Sequence, residues 1–185
     1  MYSGAVLAGG ASRRFGEDKA LFVYRGKPLL LWVLESLRGA EERFIVANRP
    51  YVGFGVPVYP DLLPGADSLS GLHSALAHAR FPWVAVAATD LPFLTRGFWD
   101  FLYEQARASP YPVVAVYNPE GHLEPLMALY HKDCLPQVER QIREGDFRLG
   151  RVVEALGATY VAAEEVVARF GERVYLNANR RADLP

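Results

Sequence analysis

The sequence predicts an α/β fold: three layers, with a mostly parallel sheet and helices on both faces. Three observations carry that expectation. Short apolar runs of strand length alternate along the chain with longer segments of helical length and pattern. The run at 82–88, Pro-Trp-Val-Ala-Val-Ala-Ala, is continuously apolar rather than alternating, which predicts a central parallel strand buried on both faces. The 185 residues suit one domain, expected to span 1–185, and a chain of that size buries roughly 70% of its unfolded surface without staples.

The elements follow in order. Ser3–Leu7 reads as a strand that runs into the stretch Leu7-Ala8-Gly9-Gly10-Ala11-Ser12-Arg13-Arg14-Phe15-Gly16-Glu17-Asp18-Lys19. Residues 21–24 are apolar and 25–28 form a turn, with Pro28 suited to the first turn of a helix over 29–37 that stops near Gly39. Strands are expected at 43–47 and 56–59, then a helix over about 68–79 capped by Ser68 or Asp67. After the apolar run come Asp90, a helix at 98–108 and a strand at 113–117. Residues 118–122 make a turn, and 125–130 pair back as a strand. Helical periodicity at 132–156 breaks near Gly145, and short strands are expected at 159–161 and 174–176.

Bulk properties exclude several classes. Net charge is −1, so no global basic field draws nucleic acid or an anionic membrane, and an anion has to meet a local cluster of charge. A single cysteine, Cys134, excludes an intrachain disulfide and a multi-cysteine metal site; without a neighbouring His or second Cys it reads as a buried, inert thiol. No run approaches the ~18 apolar residues of a membrane span, and Met1-Tyr2-Ser3-Gly4 lacks the basic region of a signal peptide, so a cytoplasmic protein is expected.

The glycine stretch holds the strongest chemical signal. Glycines let backbone N–H groups approach a ligand, and Arg13, Arg14 and Lys19 supply positive potential against only Glu17 and Asp18. That is what a nucleoside triphosphate needs. Gly-Lys-Ser/Thr is missing, so this is not a P-loop, and the glycine spacing is wrong for a dinucleotide fingerprint. Asp90, directly after the buried strand, is open to two roles, which can coexist: an oxygen ligand for Mg²⁺ or the cap of the following helix. Asn48 ends a strand, where Asn is often a left-handed turn residue, and Asp61 reads as a turn former. Asn177 and Asn179 bracket an expected strand end, where residues two apart share a face and could offer neutral oxygens to a metal or bonds to a substrate. The four histidines lack tight metal-ligand spacing. In open α/β sheets ligands sit beyond the carboxyl ends of the strands, and the glycine loop, Asn48 and Asp90 all follow such ends. They are therefore expected to share one site.

Taken together, these residues resemble the molybdenum cofactor guanylyltransferases, a branch of the nucleotidyltransferases with a GT-A-like, Rossmann-like fold. The match runs in register from Leu7-Ala8-Gly9-Gly10 and Asp18-Lys19 through Gly26-Lys27-Pro28-Leu29, Ala47-Asn48-Arg49, Asp61, Leu69 with Gly71, and Asp90 with Pro92-Phe93. It continues through Glu124-Pro125-Leu126-Met127-Ala128-Leu129-Tyr130 to Asn177-Ala178-Asn179. The chain departs from the family pattern at Phe15, at Leu91, at Asp67-Ser68-Leu69-Ser70-Gly71 (usually Gly-Pro-Leu-Ala-Gly) and at Arg180-Arg181 (usually Thr-Pro).

The resemblance implies GMP transfer from GTP to the terminal phosphate of molybdopterin, with release of pyrophosphate. Leu7, Ala8, Gly9 and Gly10 would contact the nucleotide through backbone, Lys19 would bind phosphates, and Asn48 and Asp61 would hold the guanosine. Asp90 would bind Mg²⁺. Arg13 and Arg14 would steady phosphates, and Gly71, Asn177 and Asn179 would lie on the substrate side. Transient contact with molybdoenzymes or other cofactor-biosynthesis proteins is a further implied partner. The rival readings are a related transferase using CTP or another phosphorylated acceptor, and a non-catalytic nucleotide-binding module in cofactor delivery.

Overall fold

The computed structural model describes residues 1–9 and 17–185. The strands are β1 (Ser3–Leu7), β2 (Val23–Tyr24), β3 (Lys27–Pro28), β4 (Glu42–Val46), β5 (Val58–Tyr59), β6 (Trp83–Ala88), β7 (Val113–Val116), β8 (Met127–His131) and β9 (Thr159–Val161). The α-helices are α1 (Leu29–Ser36), α2 (Ser68–His78), α3 (Arg96–Ala108), α4 (Leu135–Glu144), α5 (Leu149–Leu156) and α6 (Ala163–Phe170).

Among the described residues the main sheet has seven strands in the order β5-β4-β1-β6-β8-β7-β9. β1 is parallel to both β4 and β6, and β5 is parallel to β4. β8 is antiparallel to both β6 and β7, and β9 continues parallel to β7. The sheet is thus mostly parallel, as the sequence predicts. The expectation for the 82–88 run needs one correction. β6 is central and its Val84–Ala87 segment fully buried, but it is parallel only on its β1 side. The reason is the short turn after β7, where Asn118 Oδ1 accepts from the N–H groups of Glu120 and His122. That turn sends β8 straight back between β7 and β6.

Alternate strand residues divide between two cores, the period-2 consequence of a sheet covered on both faces. Val6, Ile45, Ala85 and Ala87 meet α1 and α3 through Leu30, Val33, Leu34, Phe98 and Trp99, with Val166 of α6 on the same face. Ala5, Leu7, Phe44, Val84 and Val86 meet α2 through Leu69, Leu72 and Leu76, with Val138 of α4 and Val152 of α5. These are the three expected layers.

β2 and β3 form a small separate hairpin whose turn residues, Arg25 and Gly26, both have positive φ (47° and 81°). The helix α6 was not anticipated from the sequence. The strand expected at 174–176 is instead a 3₁₀ turn, Glu172–Tyr175. Val174 buries into the core instead of joining the sheet, while the Tyr175 hydroxyl donates to the Tyr117 carbonyl.

Candidate active site

The chain leaves β1, builds β4 and β5 on one side of it, and then returns to place β6 on the other. The direction of winding therefore reverses at β1, and the carboxyl ends of the strands around such a switch point open into a crevice. A cleft of ≈ 470 Å³ lies there, lined by Leu7 and Gly9 after β1, Asn48 after β4, Asp61 after β5, Thr89 and Asp90 after β6, and Lys19. The remaining wall is the entry to α2, from Gly65, Asp67, Ser68 and Gly71. Among the described residues, Gly9 and Lys19 from the two ends of the loop thus share one site with Asn48 and Asp90.

Lys19 opens a short 3₁₀ turn, Lys19–Leu21, capped by Asp18, whose Oδ1 accepts from the Ala20 N–H at 3.1 Å. Asp18 is itself gripped by Arg49 Nη1 at 2.8 Å and by the Tyr51 hydroxyl at 3.0 Å. Burial, and then the adjacent Asp18 charge, push the Tyr51 hydroxyl well above its ordinary pKa, so it stays a donor. This mounting brings Lys19 Nζ to 4.0 Å from Asp90 Oδ2, with the two side chains 20% and 25% exposed. Burial raises the Asp90 carboxyl above the usual carboxylate range, and the Lys19 ammonium opposes part of the shift. The capping role considered for Asp90 falls to Thr95, whose Oγ1 accepts from Phe98 N at 3.2 Å at the start of α3. The Asp90 carboxylate is therefore left facing the cleft.

On the β4–β5 side, Asn48 and Asp61 are locked together. Asn48 Nδ2 donates to Asp61 Oδ2 at 2.9 Å, and the Asp61 backbone N–H donates to Asn48 Oδ1, also at 2.9 Å. Asn48 is not a left-handed turn residue; Arg25 and Asp67 are the non-glycine residues with positive φ among those described. Gly71 lets α2 approach the end of β1, since a Cβ there would sit 3.0 Å from Leu7 Cδ1.

Several expected residues are placed differently. Ala8 is buried and outside the cleft lining, and its N–H donates to the Val46 carbonyl at 2.9 Å, so that amide is spent on the sheet. Asn177 belongs to a second, more open cleft of ≈ 680 Å³ with Asn118, Glu124, Arg173 and Tyr175. Asn179 is exposed and lines neither cleft. The shared strand face proposed for the two asparagines does not exist, because their segment is not a strand. Instead Ala178, between them, donates its N–H to the Asp90 carbonyl at 2.8 Å. Gly10, Arg13 and Arg14 lie outside the described residues. Cys134 is fully buried and its thiol pushed up to about 12, as an inert side chain should be.

Sequence reasoning missed Thr89 and Gly65 as lining residues, and read Asp67 and Ser68 as caps and as a departure from the family pattern without placing them in the site. Asp67 has φ 50° and ψ −131°, does not cap α2 with its side chain, and faces the cleft. The signal was present as the departure from a glycine at that position. Among the described residues no group of three or more His, Cys, Asp and Glu side chains is arranged to hold a metal ion. Asp90 fits a different arrangement, that of Mg²⁺, which takes one or two carboxylates and completes its shell with phosphate oxygens and water.

A crevice at this switch point, lined by a lysine and a carboxylate, marks the ligand site of an open α/β fold. The chain belongs to the MobA-like NTP transferase family, whose domain model matches residues 4–160. Over 181 residues it is 39% identical to a probable molybdenum cofactor guanylyltransferase of Deinococcus radiodurans, covering 97% of this chain and 90% of that one. It is 32% identical to the protein of the same description from Pyrococcus furiosus, covering 100% of this chain and 95% of that one. The molybdopterin-guanine dinucleotide biosynthesis protein A of Archaeoglobus fulgidus superposes with a TM-score of 0.85 at 28% identity, over 98% of this chain and 94% of that one. A Thermus thermophilus 2-C-methyl-D-erythritol 4-phosphate cytidylyltransferase shares the fold alone, with TM-score 0.71 and 19% identity over 100% of this chain and 96% of that one.

Proposed function

We propose that this protein transfers GMP from GTP to the terminal phosphate of molybdopterin, forming the guanine dinucleotide cofactor and releasing pyrophosphate in the cytoplasm. The single observation that carries the choice of nucleotide is the Asn48–Asp61 pair. Asn48 fixes the orientation of a carboxylate at the end of the cleft away from Lys19 and Asp90. Guanine presents two adjacent donors, N1–H and the 2-amino group, which a carboxylate accepts side by side. Cytosine presents one donor beside the N3 acceptor, which a carboxylate repels. The names of the relatives, probable molybdenum cofactor guanylyltransferases, support the same base and the same acceptor.

The triphosphate runs from that end toward Lys19 and Asp90. An oxygen of the acceptor phosphate attacks the α-phosphorus in line; the new P–O bond forms as the bond to the β-phosphate bridging oxygen breaks, and pyrophosphate leaves with that electron pair. The attacking oxygen is already anionic, so no protein base is required. Lys19 neutralises charge developing on the leaving group, while the mounted turn and the Asn48–Asp61 pair hold the two ends of GTP in line. Mg²⁺ held by Asp90 would supply charge neutralisation to the phosphates. Asp67 and Ser68 shape the wall between the two ends, and the cleft containing Asn177, adjacent to Asp90 through Ala178, supplies the approach for the acceptor.

The test is pyrophosphate release with molybdopterin and either GTP or CTP. Turnover with GTP in strong preference to CTP is expected. Preference for CTP sinks the guanylyl assignment, and tight nucleotide binding without turnover favours a delivery module.

A further inference from the structure

The segment after Asn179 departs from the family pattern, and the structure shows what replaces it. Arg181 Nη2 lies 2.7 Å from Glu17 Oε1, and the Arg181 guanidinium carbon lies 4.9 Å from the centroid of the Phe22 ring. Glu17 precedes the 3₁₀ turn that carries Lys19, and Phe22 follows it. One planar cation therefore spans the two ends of that turn. Phe22 is fixed in its own right, its N–H donating to the Lys19 carbonyl at 3.2 Å and its carbonyl accepting from Leu29 N at 2.9 Å.

The segment that presents Arg181 is itself anchored. Ala178 is fully buried in a small cluster with Tyr24 and Leu29, and Phe22, Phe93 and Leu184 pack against it. The Tyr24 hydroxyl donates to the Pro185 carbonyl at 2.6 Å, and the Arg180 N–H donates to Asp183 Oδ2 at 2.7 Å. The same segment thus touches the Asp90 backbone through Ala178 and the Lys19 turn through Arg181. On the other flank, Asp18 is held by Arg49 and Tyr51.

We propose that Arg181 is a positioning residue for nucleotide binding. Its guanidinium clamps the turn from Glu17 to Phe22, so that Lys19 is preset toward the phosphates beside Asp90. This rests on the reading of Lys19 as a triphosphate ligand. The physical gain is preorganisation: a turn ordered before the ligand arrives loses less entropy on binding. An exposed ion pair with one ring contact adds little to global stability, so its effect is concentrated in the element it holds.

Binding is measured by titration calorimetry with GTP and with GMP, in Mg²⁺ and without acceptor, on the wild type, Arg181→Ala, Lys19→Ala and the double variant. Arg181→Ala is expected to weaken GTP binding about three- to tenfold, to leave GMP binding nearly unchanged, and to shift the melting temperature by no more than about 2 °C. Arg181→Lys, which keeps the charge but not the planar stacking, should fall between Arg181→Ala and the wild type. In the Lys19→Ala background, removing Arg181 should cost nothing further, because the clamp then has no ammonium to place. Independent, additive losses overturn the proposal, as does unaltered GTP binding in Arg181→Ala while Lys19→Ala weakens it. If Lys19→Ala itself leaves GTP binding intact, the triphosphate role of Lys19 falls first and the clamp falls with it.

Discussion

Replacing Asp61 with Asn tests the base-recognition argument at the cost of one oxygen. The Asp61 backbone N–H still reaches Asn48 Oδ1, and the new side-chain carbonyl can still accept from Asn48 Nδ2, so the local fold survives. With that oxygen turned toward Asn48, the new amide nitrogen faces the base and opposes the guanine N–H donors. A hydrogen bond to a charged group contributes about 1.5–3 kcal/mol, and 1.4 kcal/mol is about tenfold. Catalytic efficiency, kcat/KM, with GTP should therefore fall about 10- to 150-fold. Efficiency with CTP should fall much less or rise, because its N3 acceptor now meets a donor. The assay is pyrophosphate release with each nucleotide at fixed molybdopterin, with melting temperature as the control for folding. A GTP-to-CTP preference unchanged within about twofold, in a variant as stable as the wild type, would refute the assignment of Asp61 to the guanine edge.

Three further outcomes follow from the same geometry. Asp90→Ala should lower kcat at least about 100-fold with little change in melting temperature, because Thr95 caps α3 and Ala178 bonds only the Asp90 backbone; near-normal turnover would remove the carboxylate from the mechanism. Gly71→Ala adds a methyl 3.0 Å from Leu7 Cδ1, so overpacking is offset by an alanine helix gain of about 1 kcal/mol. Thermal melting should barely move while the KM for GTP rises, and a large melting loss with unchanged KM would contradict a role for Leu7 in shaping the cleft. Glu42 is the acid-sensitive latch between β1, β4 and Arg80. Burial raises its carboxyl, but the Arg80 N–H, the Ser3 hydroxyl at 2.6 Å and the Arg80 guanidinium at 2.9 Å outweigh burial and leave it below its ordinary value. A depressed folded value gives stability that is present above the unfolded pKa of about 4.3 and is lost as pH falls through the folded one. Glu42→Gln should therefore be less stable than wild type in urea at neutral pH and nearly equal to it near pH ~3; an undiminished difference in acid would contradict the linkage.

Much of the candidate site was legible because its residues follow strand ends, and strand ends are a local signal. Residues 3–7 and 82–88 carry apolar runs of strand length, and the structure places β1 at Ser3–Leu7 and β6 at Trp83–Ala88. Lys19, Asn48, Asp61 and Asp90 were all visible as polar residues at or near those ends. Their roles were less visible. The turn-former readings of Asn48 and Asp61 gave way to a mutual pair, because nothing in either local sequence says that β4 and β5 become neighbours. The strand expected at 174–176 had suitable residue types, yet packing drew Val174 into the core and left the segment a 3₁₀ turn.

Taken by itself, the sequence determined the alternation of strands and helices, the two-faced burial of the sheet, and the place of an acid after the fourth strand of its expected order. These depend on the spacing of apolar, glycine and charged residues within a few positions of one another. Only the tertiary structure decided the antiparallel insertion of β8, the division of the asparagines between a second cleft and solvent, and the mounting of Lys19 between Asp18 with Arg49 and Tyr51 on one side and Glu17 with Arg181 on the other. The reason is range. Local preference settles φ and ψ, whereas hydrogen-bond partners and ion pairs between distant residues, such as Glu17 and Arg181, depend on which elements the topology brings side by side.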